Sequence, residues 1–390
     1  MNRRRFLNTT LGAACSAAAI PAVTPMSFAS VPGEQRFVAI VLRGAMDGLD
    51  VVQPYGDPFL RKLRRNLSKG PDAGAMDLNG FYALHPALSS LYPMWKSGEL
   101  GFAHAVSTPY RDKRSHFDGQ GILEAGTSDK PAPDNAQGGW LNRLLPMIPG
   151  AVFETAFAVG SNELMILQGV NRHAHWEPNS LLALTPQAQI LLQSLYENDP
   201  VFHNASEAAI KLSARDEGPG KQKTEGKGAV ALARFAAARL NGETRISAFS
   251  LNGWDTHRGQ VKGINSPLKQ LAQVLLALKQ DLGRNWDNTV VMAMTEFGRT
   301  VRENGTMGTD HGTGGLMIMA GGAIKGGQVY GRWPGLGEGD LYADRDLMPV
   351  ADVRSYAGAA LTGLFGVPLS GIESTIFPGV DMTDLPRILS

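Results

Sequence analysis

The sequence predicts an α/β fold with a doubly wound, mainly parallel sheet. Apolar runs of strand length alternate with amphipathic helical segments along the 390-residue chain, which is the order typical of parallel sheets covered by helices. The run 36–42 is apolar after its first residue and ends in a glycine-rich loop. Such a run indicates a strand that is buried on both faces. The same alternation returns between residues 245 and 366.

Individual elements follow from the same patterns. Ser266-Pro267 and Asp352 are each expected to begin a helix with apolar residues at helical spacing. Another helix is expected to begin at His85-Pro86 and end at Gly98, because proline suits the first helical position and glycine commonly follows the last. Further strands are expected at 101–106, 245–251, 289–294 and 316–320.

Residues 161–242 interrupt this alternation. The segment is polar and loop-rich at first, contains a lysine- and glycine-rich stretch at 218–227, and becomes helical at 229–240. We interpret it as a partly helical insertion or cap on the α/β core.

The N-terminus resembles a twin-arginine export signal. Asn2-Arg3-Arg4-Arg5-Phe6-Leu7 is followed by an apolar run at 11–23 and by Ser27-Phe28-Ala29, a cleavage site of small residues. The run is too short and too alanine-rich to span a bilayer comfortably. Residues 1–29 are therefore predicted to be a removed signal, and 30–390 a single domain located in the periplasm.

Composition excludes several classes of protein. Removing 29 residues with three arginines and no acid changes the formal charge from +1 to −2, which argues against nucleic-acid binding. The only cysteine, Cys15, lies within the signal, so disulfides, a thiolate nucleophile and cysteine metal ligands are absent from the mature chain. Beyond the signal, no apolar segment reaches membrane-spanning length.

Polar clusters follow several predicted strands, at the edge where open α/β sheets bind ligands. They are Arg43–Gly48, Arg114–Asp118, Trp254–His257, Glu296–Arg299 and Thr309–Gly312. Carboxylates and histidines are the ligands that divalent cations use when cysteine is absent. The clusters therefore predict one shared site, although any single residue in them has a structural alternative, such as Asp47 capping a turn.

Spacing separates ligands from their partners. Asp255 and His257 are two residues apart, so an extended loop directs both side chains to one ion. Asp310 and His311 are adjacent, which favours one ligand and one orienting partner. Glu296 follows the most apolar strand and is expected to be a functional carboxylate.

Taken together, these motifs resemble a known family. The motifs are Arg43-Gly-Ala-Met-Asp-Gly48, Arg114-Ser-His-Phe-Asp118, Gly139-Trp-Leu-Asn-Arg143, Trp254-Asp-Thr-His257, Thr295-Glu-Phe-Gly-Arg299 and Gly308-Thr-Asp-His-Gly312. They resemble the exported bacterial domain-of-unknown-function family 1501, which is related to the alkaline phosphatase and sulfatase superfamily. The resemblance implies an alkaline-phosphatase-like fold and a two-metal hydrolytic site.

The resemblance also implies roles for residues. The implied divalent metal, with Zn, Mn, Ca and Mg as alternatives, has as its ligands Asp47, Asp255, His257, Glu296, Asp310 and His311. Arg114 and Arg299 are the anion-binding residues, and Arg43, Ser115 and His116 are catalytic. The superfamily places a nucleophilic hydroxyl at a helix N-terminus. Ser115 and Thr108 are the nearby hydroxyl candidates, and Ser115 is the expected nucleophile.

Two functions remain open at this point. The first is a metal-dependent hydrolase of a small anionic phosphate or sulfate ester. The second is a non-catalytic, alkaline-phosphatase-like binding or assembly module of the cell envelope, with an exported protein partner. Phe297 supports the second, because it stands where the superfamily has a histidine ligand. A nicotinamide oxidoreductase is disfavoured, because no Gly-x-Gly-x-x-Gly follows the first strand.

Overall fold

The computed structural model describes residues 33–128, 137–160, 164–176 and 228–390. Their main sheet contains strands in the order β11-β5-β10-β9-β1-β8-β6-β7, with β12 also paired to β5. A small second sheet has the order β2-β4-β3. The strands are β1 Arg36–Leu42, β2 Val52–Gln53, β3 Met76–Asp77, β4 Ala83–Leu84, β5 Leu100–Ser107, β6 Ala156–Val159, β7 Ala174–Trp176, β8 Ile246–Leu251, β9 Thr289–Thr295, β10 Gly315–Ala320, β11 Val329–Tyr330 and β12 Ala351–Asp352.

Helices cover both faces of this sheet. They are α1 Gly48–Val51, α2 Leu60–Leu63, α3 Tyr92–Lys96, α4 His116–Ala125, α5 Trp140–Leu144, α6 Ala229–Leu240, α7 Gln260–Gly263, α8 Asn265–Leu282, α9 Val353–Phe365 and α10 Leu369–Gly371. Alternate residues of β1 enter two separate hydrophobic clusters, one containing α6 and α8 and the other containing α5 and α9. The predicted α/β architecture with a mainly parallel, doubly wound sheet is confirmed.

Strand direction differs from expectation in one place. Among the described strands of the main sheet, β10 runs antiparallel to both β5 and β9, while the other pairs are parallel. Because β10 is reversed, the residues before it lie at the same edge as the residues after β1, β5, β8 and β9. That edge carries the candidate site.

The segment begun by His85-Pro86 is also more broken than predicted. A 3₁₀ helix spans Pro86–Leu91, and α3 follows with Pro93 in its first turn. The His85 ring nitrogen Nδ1 accepts a hydrogen bond from the Ala87 amide. Asp352, in contrast, caps α9 as predicted, through a 2.9 Å bond from the Arg354 amide.

The predicted signal at 1–29 and most of the predicted insertion lie outside the described residues. The described parts of 161–242 belong to the main layers, since β7 pairs with β6 and α6 packs in the same hydrophobic cluster as α8. Nowhere in the described ranges is a helix both long enough and apolar enough to cross a membrane.

Candidate metal centre

Four side chains from different loops converge at the carboxyl edge of the sheet. His116 begins α4 after β5, Asp255 and His257 follow β8, and His311 precedes β10. Ligand atoms of His116, Asp255 and His311 all lie within 4.8 Å of one another. His257 joins them, because its Nε2 atom lies 3.0 Å from His311 Nε2 and 3.1 Å from Asp255 Oδ1. We call these four residues the histidine cluster.

Two carboxylates orient the rings of the cluster. His116 Nδ1 lies 2.7 Å from Glu296 Oε1, and His257 Nδ1 lies 3.1 Å from Asp310 Oδ1. An ionised carboxylate only accepts hydrogen bonds, so each ring donates from Nδ1 and directs its Nε2 atom at the other members of the cluster. The bond to Glu296 also raises the pKa of His116 above its ordinary value. Carboxylates that hold metal-binding histidines in this way are a common feature of metal sites.

The third ring is oriented by the main chain. His311 Nδ1 donates to the Arg114 carbonyl oxygen at 2.9 Å, and burial lowers the pKa of His311 below its ordinary value, so its Nε2 atom has a free lone pair. This atom lies 3.0 Å from His257 Nε2, and Asp255 Oδ1 lies 3.1 Å from His257 Nε2 and 3.4 Å from His311 Nε2. Three potential ligand atoms therefore lie within 3.4 Å of one another, where a proton or a cation can bind between them.

The donor set fits a metal ion. The buried Nε2 atom of His116 has no hydrogen-bond partner among the described residues, and it lies 3.5 Å from Asp255 Oδ2. Three imidazole nitrogens and one carboxylate are donors typical of zinc and neighbouring transition metals, whereas calcium and magnesium prefer oxygen ligands alone. The arrangement therefore suits one transition-metal ion.

Arg299 holds Asp255 in place. Its Nη2 atom donates to Asp255 Oδ1 at 2.6 Å, and its other donors reach the main-chain carbonyls of Gly44, Ala45 and Thr309. Only 1 % of Arg299 is exposed, so this guanidinium is not directed at an open anion site as the sequence suggested. Burial raises the pKa of Asp255, but the bond and charge of Arg299 together with the charges of His257 and His116 outweigh it, and the pKa lies below its ordinary value.

Glu296 lies behind the cluster and orients it, although the sequence suggested a ligand. Besides His116, its Oε1 atom accepts bonds from the Gly44 amide at 2.9 Å and from Gln120 Nε2 at 3.1 Å. Burial alone would raise the pKa of this carboxyl, but the bond from His116 and the others hold it below its ordinary value. Glu296 is therefore an ionised acceptor for the His116 ring.

Glycine permits the close approach of the β1 loop to Asp255. Gly44 has a φ of +119°, and a Cβ atom there would lie 2.6 Å from the Asp255 amide nitrogen. Only glycine combines this backbone conformation with this contact. The carbonyl and amide of Gly44 are thereby available to Arg299 and Glu296.

Asp47 is placed apart from the histidine cluster. Its two oxygens accept bonds from Arg64 at 2.7 and 3.0 Å, and Gln260 Nε2 adds a third at 2.5 Å. Asp47 and Arg64 are 1 % and 0 % exposed. The carboxylate thus forms a buried ion pair, and the ligand role suggested by the sequence does not match its surroundings.

The remaining predicted residues surround the cluster. Ser115 is the N-cap of α4, where its hydroxyl accepts a bond from the Asp118 amide at 3.4 Å. The Arg114 guanidinium is 39 % exposed and lies 3.7 Å from Asp346. Arg43 is directed towards α4 and contacts its side chains.

The sequence interpretation missed two contributing residues, which are Gln120, in contact with Glu296, and Arg64, paired with Asp47. Phe297, which the sequence indicated only as the replacement of a histidine ligand, stacks against His116 with ring centres 5.4 Å apart. Gln120 could have been found from its spacing of four residues after His116, which places both on one face of a helix. Arg64 carries no comparable signal, because its pairing arises only in the folded chain.

The fold and this site define a doubly wound α/β protein with a histidine-rich candidate metal centre. Residues 103–368 match the family described as "Protein of unknown function (DUF1501)", and the chain belongs to that family. This confirms the family that the sequence motifs indicated. None of the curated proteins matches the sequence significantly.

Solved structures similar to the chain come from several bacteria. The C-terminal periplasmic domain of EcEptC from Escherichia coli is 11 % identical, with 90 % of this chain and 88 % of that chain covered and a TM-score of 0.42. A protein in the alkaline phosphatase superfamily from Vibrio parahaemolyticus is 12 % identical, with 85 % and 67 % covered and a TM-score of 0.37. The lipoteichoic acid synthase LtaP from Listeria monocytogenes is 9 % identical, with 93 % and 76 % covered and a TM-score of 0.36.

Proposed function

We propose that the protein is an exported, divalent-metal-dependent hydrolase of phosphate or sulfate esters. The observation that carries this proposal is the convergence of three imidazole Nε2 atoms and the Asp255 carboxylate, with each ring fixed through its Nδ1 atom. A divalent cation held by these four donors would act as a Lewis acid on an ester oxygen.

Arg114 is the residue best placed to hold the anionic group of a substrate. Its main chain is bound to His311, and its guanidinium lies 3.7 Å from Asp346, too far for a hydrogen bond. A guanidinium can bind two oxygens of a phosphate or sulfate at once. In this proposal Arg114 orients the ester beside the histidine cluster.

Ser115 remains the proposed nucleophile. It lies at the N-terminus of α4, directly between Arg114 and His116. Main-chain N–H groups at this position favour an anion. Attack by its hydroxyl oxygen on phosphorus or sulfur would release the alcohol, and water would then free the inorganic anion.

The second candidate function, a non-catalytic envelope module, is supported by a structural role of Ser115. Its hydroxyl oxygen accepts the Asp118 amide bond and thereby serves as a helix cap. A cap requires no chemistry, and a bound ion would then only hold three loops together for an exported protein partner.

Hydrolysis assays distinguish the two candidates. The purified protein would be loaded separately with Zn²⁺, Mn²⁺, Mg²⁺ and Ca²⁺ and tested on an aryl phosphate, a phosphodiester and an aryl sulfate. We expect cleavage of at least one ester with Zn²⁺ or Mn²⁺ and none by a His311→Ala variant treated identically. Metal-loaded, folded protein that cleaves none of them would contradict the hydrolase and leave the binding module, which a periplasmic pull-down then tests.

A further inference from the structure

Helix α4 presents a polar stripe towards the site. His116, Gln120 and Glu124 are spaced four residues apart and therefore lie on one helix face. Arg43, from the loop after β1, contacts two of them. Its Nη1 atom donates to Gln120 Oε1 at 2.7 Å, and its Nη2 atom lies 2.8 Å from Glu124 Oε1.

The direction of each hydrogen bond in this stripe is determined by Arg43. A guanidinium has donors and no acceptor, so Gln120 must turn its amide oxygen towards Arg43. The Gln120 NH₂ group then faces Glu296, where it donates to Oε1 at 3.1 Å. Glu296 therefore accepts hydrogen bonds both from Gln120 and from His116 Nδ1, the latter at 2.7 Å.

Glu124 holds the Arg43 guanidinium in place from within the core. Only 2 % of Glu124 is exposed, and its second oxygen accepts a bond from the Ile166 amide at 3.1 Å. With both terminal nitrogens engaged on α4, Arg43 is directed away from the histidine cluster. Its contacts are those of a positioning residue and not of one that touches substrate.

We propose that Arg43 and Gln120 are positioning residues that hold Glu296, and through it the His116 ring, so that His116 Nε2 points at the metal centre. In this relay, Arg43 orients Gln120, Gln120 donates to Glu296, and Glu296 accepts from His116 Nδ1. The inference rests on the proposed metal-dependent function, and it assigns to the chain two residues that govern metal affinity without contacting the ion.

The test uses a glutamine-to-leucine exchange, which adds no charge near the site. In Gln120→Leu, the side chain can neither accept from Arg43 nor donate to Glu296. Gln328→Leu is the control, because it makes the same exchange at a partly buried glutamine near the start of β5, at the opposite edge of the sheet. Melting temperatures establish that both variants fold.

Two readouts are required. Zinc affinity, measured by competition with a chromophoric chelator, should fall about tenfold in Gln120→Leu, as expected for partners of metal ligands, and stay unchanged in Gln328→Leu. In the metal-free protein labelled with ¹⁵N-histidine, NMR should show slow exchange of the His116 Nδ1 proton with water in the wild type and faster exchange in Gln120→Leu, because Glu296 is no longer held against the ring.

The outcomes separate this inference from the proposed function. Wild-type zinc binding with an unchanged affinity in folded Gln120→Leu would overturn the relay and leave the metal centre intact. A wild-type protein that binds no zinc would overturn the metal centre, and proton exchange in the metal-free protein would still decide on the relay. An unaltered exchange rate of the His116 Nδ1 proton in Gln120→Leu would overturn it.

Discussion

Two polar clusters at the same edge of the sheet differ in how fully their groups are hydrogen-bonded. Around Asp47, every carboxylate oxygen accepts a bond from Arg64 or Gln260, and all three residues are buried. In the histidine cluster, the buried Nε2 atom of His116 has no hydrogen-bond partner among the described residues, and the Nε2 atoms of His257 and His311 lie 3.0 Å apart beside Asp255. A carboxylate after a strand is thus structural where its partners satisfy it. It is a candidate ligand where neighbouring donors to a metal remain unused.

The largest expected effect is loss of metal from the histidine cluster. His311→Ala removes one nitrogen donor, and Asp255→Asn removes the ligand charge while keeping an oxygen for Arg299. We expect both variants to lose stoichiometric zinc. Mutating a residue that hydrogen-bonds a metal ligand typically lowers metal affinity about 10- to 100-fold, and removing the ligand itself should lower it at least as much. Metal content by elemental analysis after dialysis, with circular dichroism for folding, checks this. Zinc retained in both folded variants would remove the distinction between the clusters.

The opposite result is expected at the other cluster. Asp47→Asn leaves the buried Arg64 guanidinium without its charge partner, which should lower the free energy of unfolding by about 3–5 kcal/mol. Zinc content should stay at the wild-type level in the folded protein. Urea unfolding and elemental analysis measure the two quantities together. Zinc loss from folded Asp47→Asn would place Asp47 in the ligand set.

A histidine outside both clusters, His104, extends the comparison to the pH dependence of stability. His104 is buried, with Nε2 bonded to the Val52 carbonyl and Nδ1 accepting from the Ala105 amide, and burial lowers its pKa to about 4. The unfolded chain takes up this proton near pH 6.5, so the contribution of His104 is complete above that pH. It is lost as pH falls towards 4, by about 3 kcal/mol in total.

Urea unfolding between pH 7 and pH 4 measures this dependence. The His104→Gln variant should show a flatter loss of unfolding free energy than the wild type over that range. Equal slopes in the two proteins would mean that His104 titrates normally in the folded state. This pH range lies above the ordinary pKa of carboxyl groups. Asp255 and Glu296, whose pKa values are lowered in the folded protein, therefore reduce the free energy of unfolding mainly at pH values below this range.

The smallest expected effect on stability concerns Ser115. Ser115→Ala removes the N-cap of α4 and should cost about 1 kcal/mol, whereas Ser115→Asn keeps a capping oxygen. If Ser115 is the nucleophile, both variants lose hydrolysis. If it is only a cap, Ser115→Asn keeps the wild-type rate. Denaturant unfolding together with hydrolysis by each metal-loaded variant separates the two roles.

The strands and their edge could be predicted because buried strands are recorded in local apolar runs. The predicted run 36–42 coincides with strand β1. Asp255 and His311 lie in the loops after β8 and before β10, as expected. The reversal of β10 could not be predicted, since an apolar strand reads the same in either direction.

The surroundings of single carboxylates could not be predicted either. Asp47 pairs with Arg64 and Gln260, which lie 17 and 213 residues further along the chain. Glu296 meets His116 across 180 residues. Local sequence gives the position of such a group at a strand end, but its partners are determined by tertiary contacts. The division into ligands and orienting residues therefore emerges only from the folded structure.

The histidine cluster draws its members from loops that lie far apart in sequence, between residues 116 and 311. An unfolded chain holds no pair of these donors at ligand distance except Asp255 and His257, so the proposed ion is acquired only after the sheet has assembled. Under the proposed twin-arginine export, the chain would cross the membrane already folded, and the identity of the metal would be decided by the ions available where the chain folds. The metal bound after export would then reflect the metal supply of the cytoplasm.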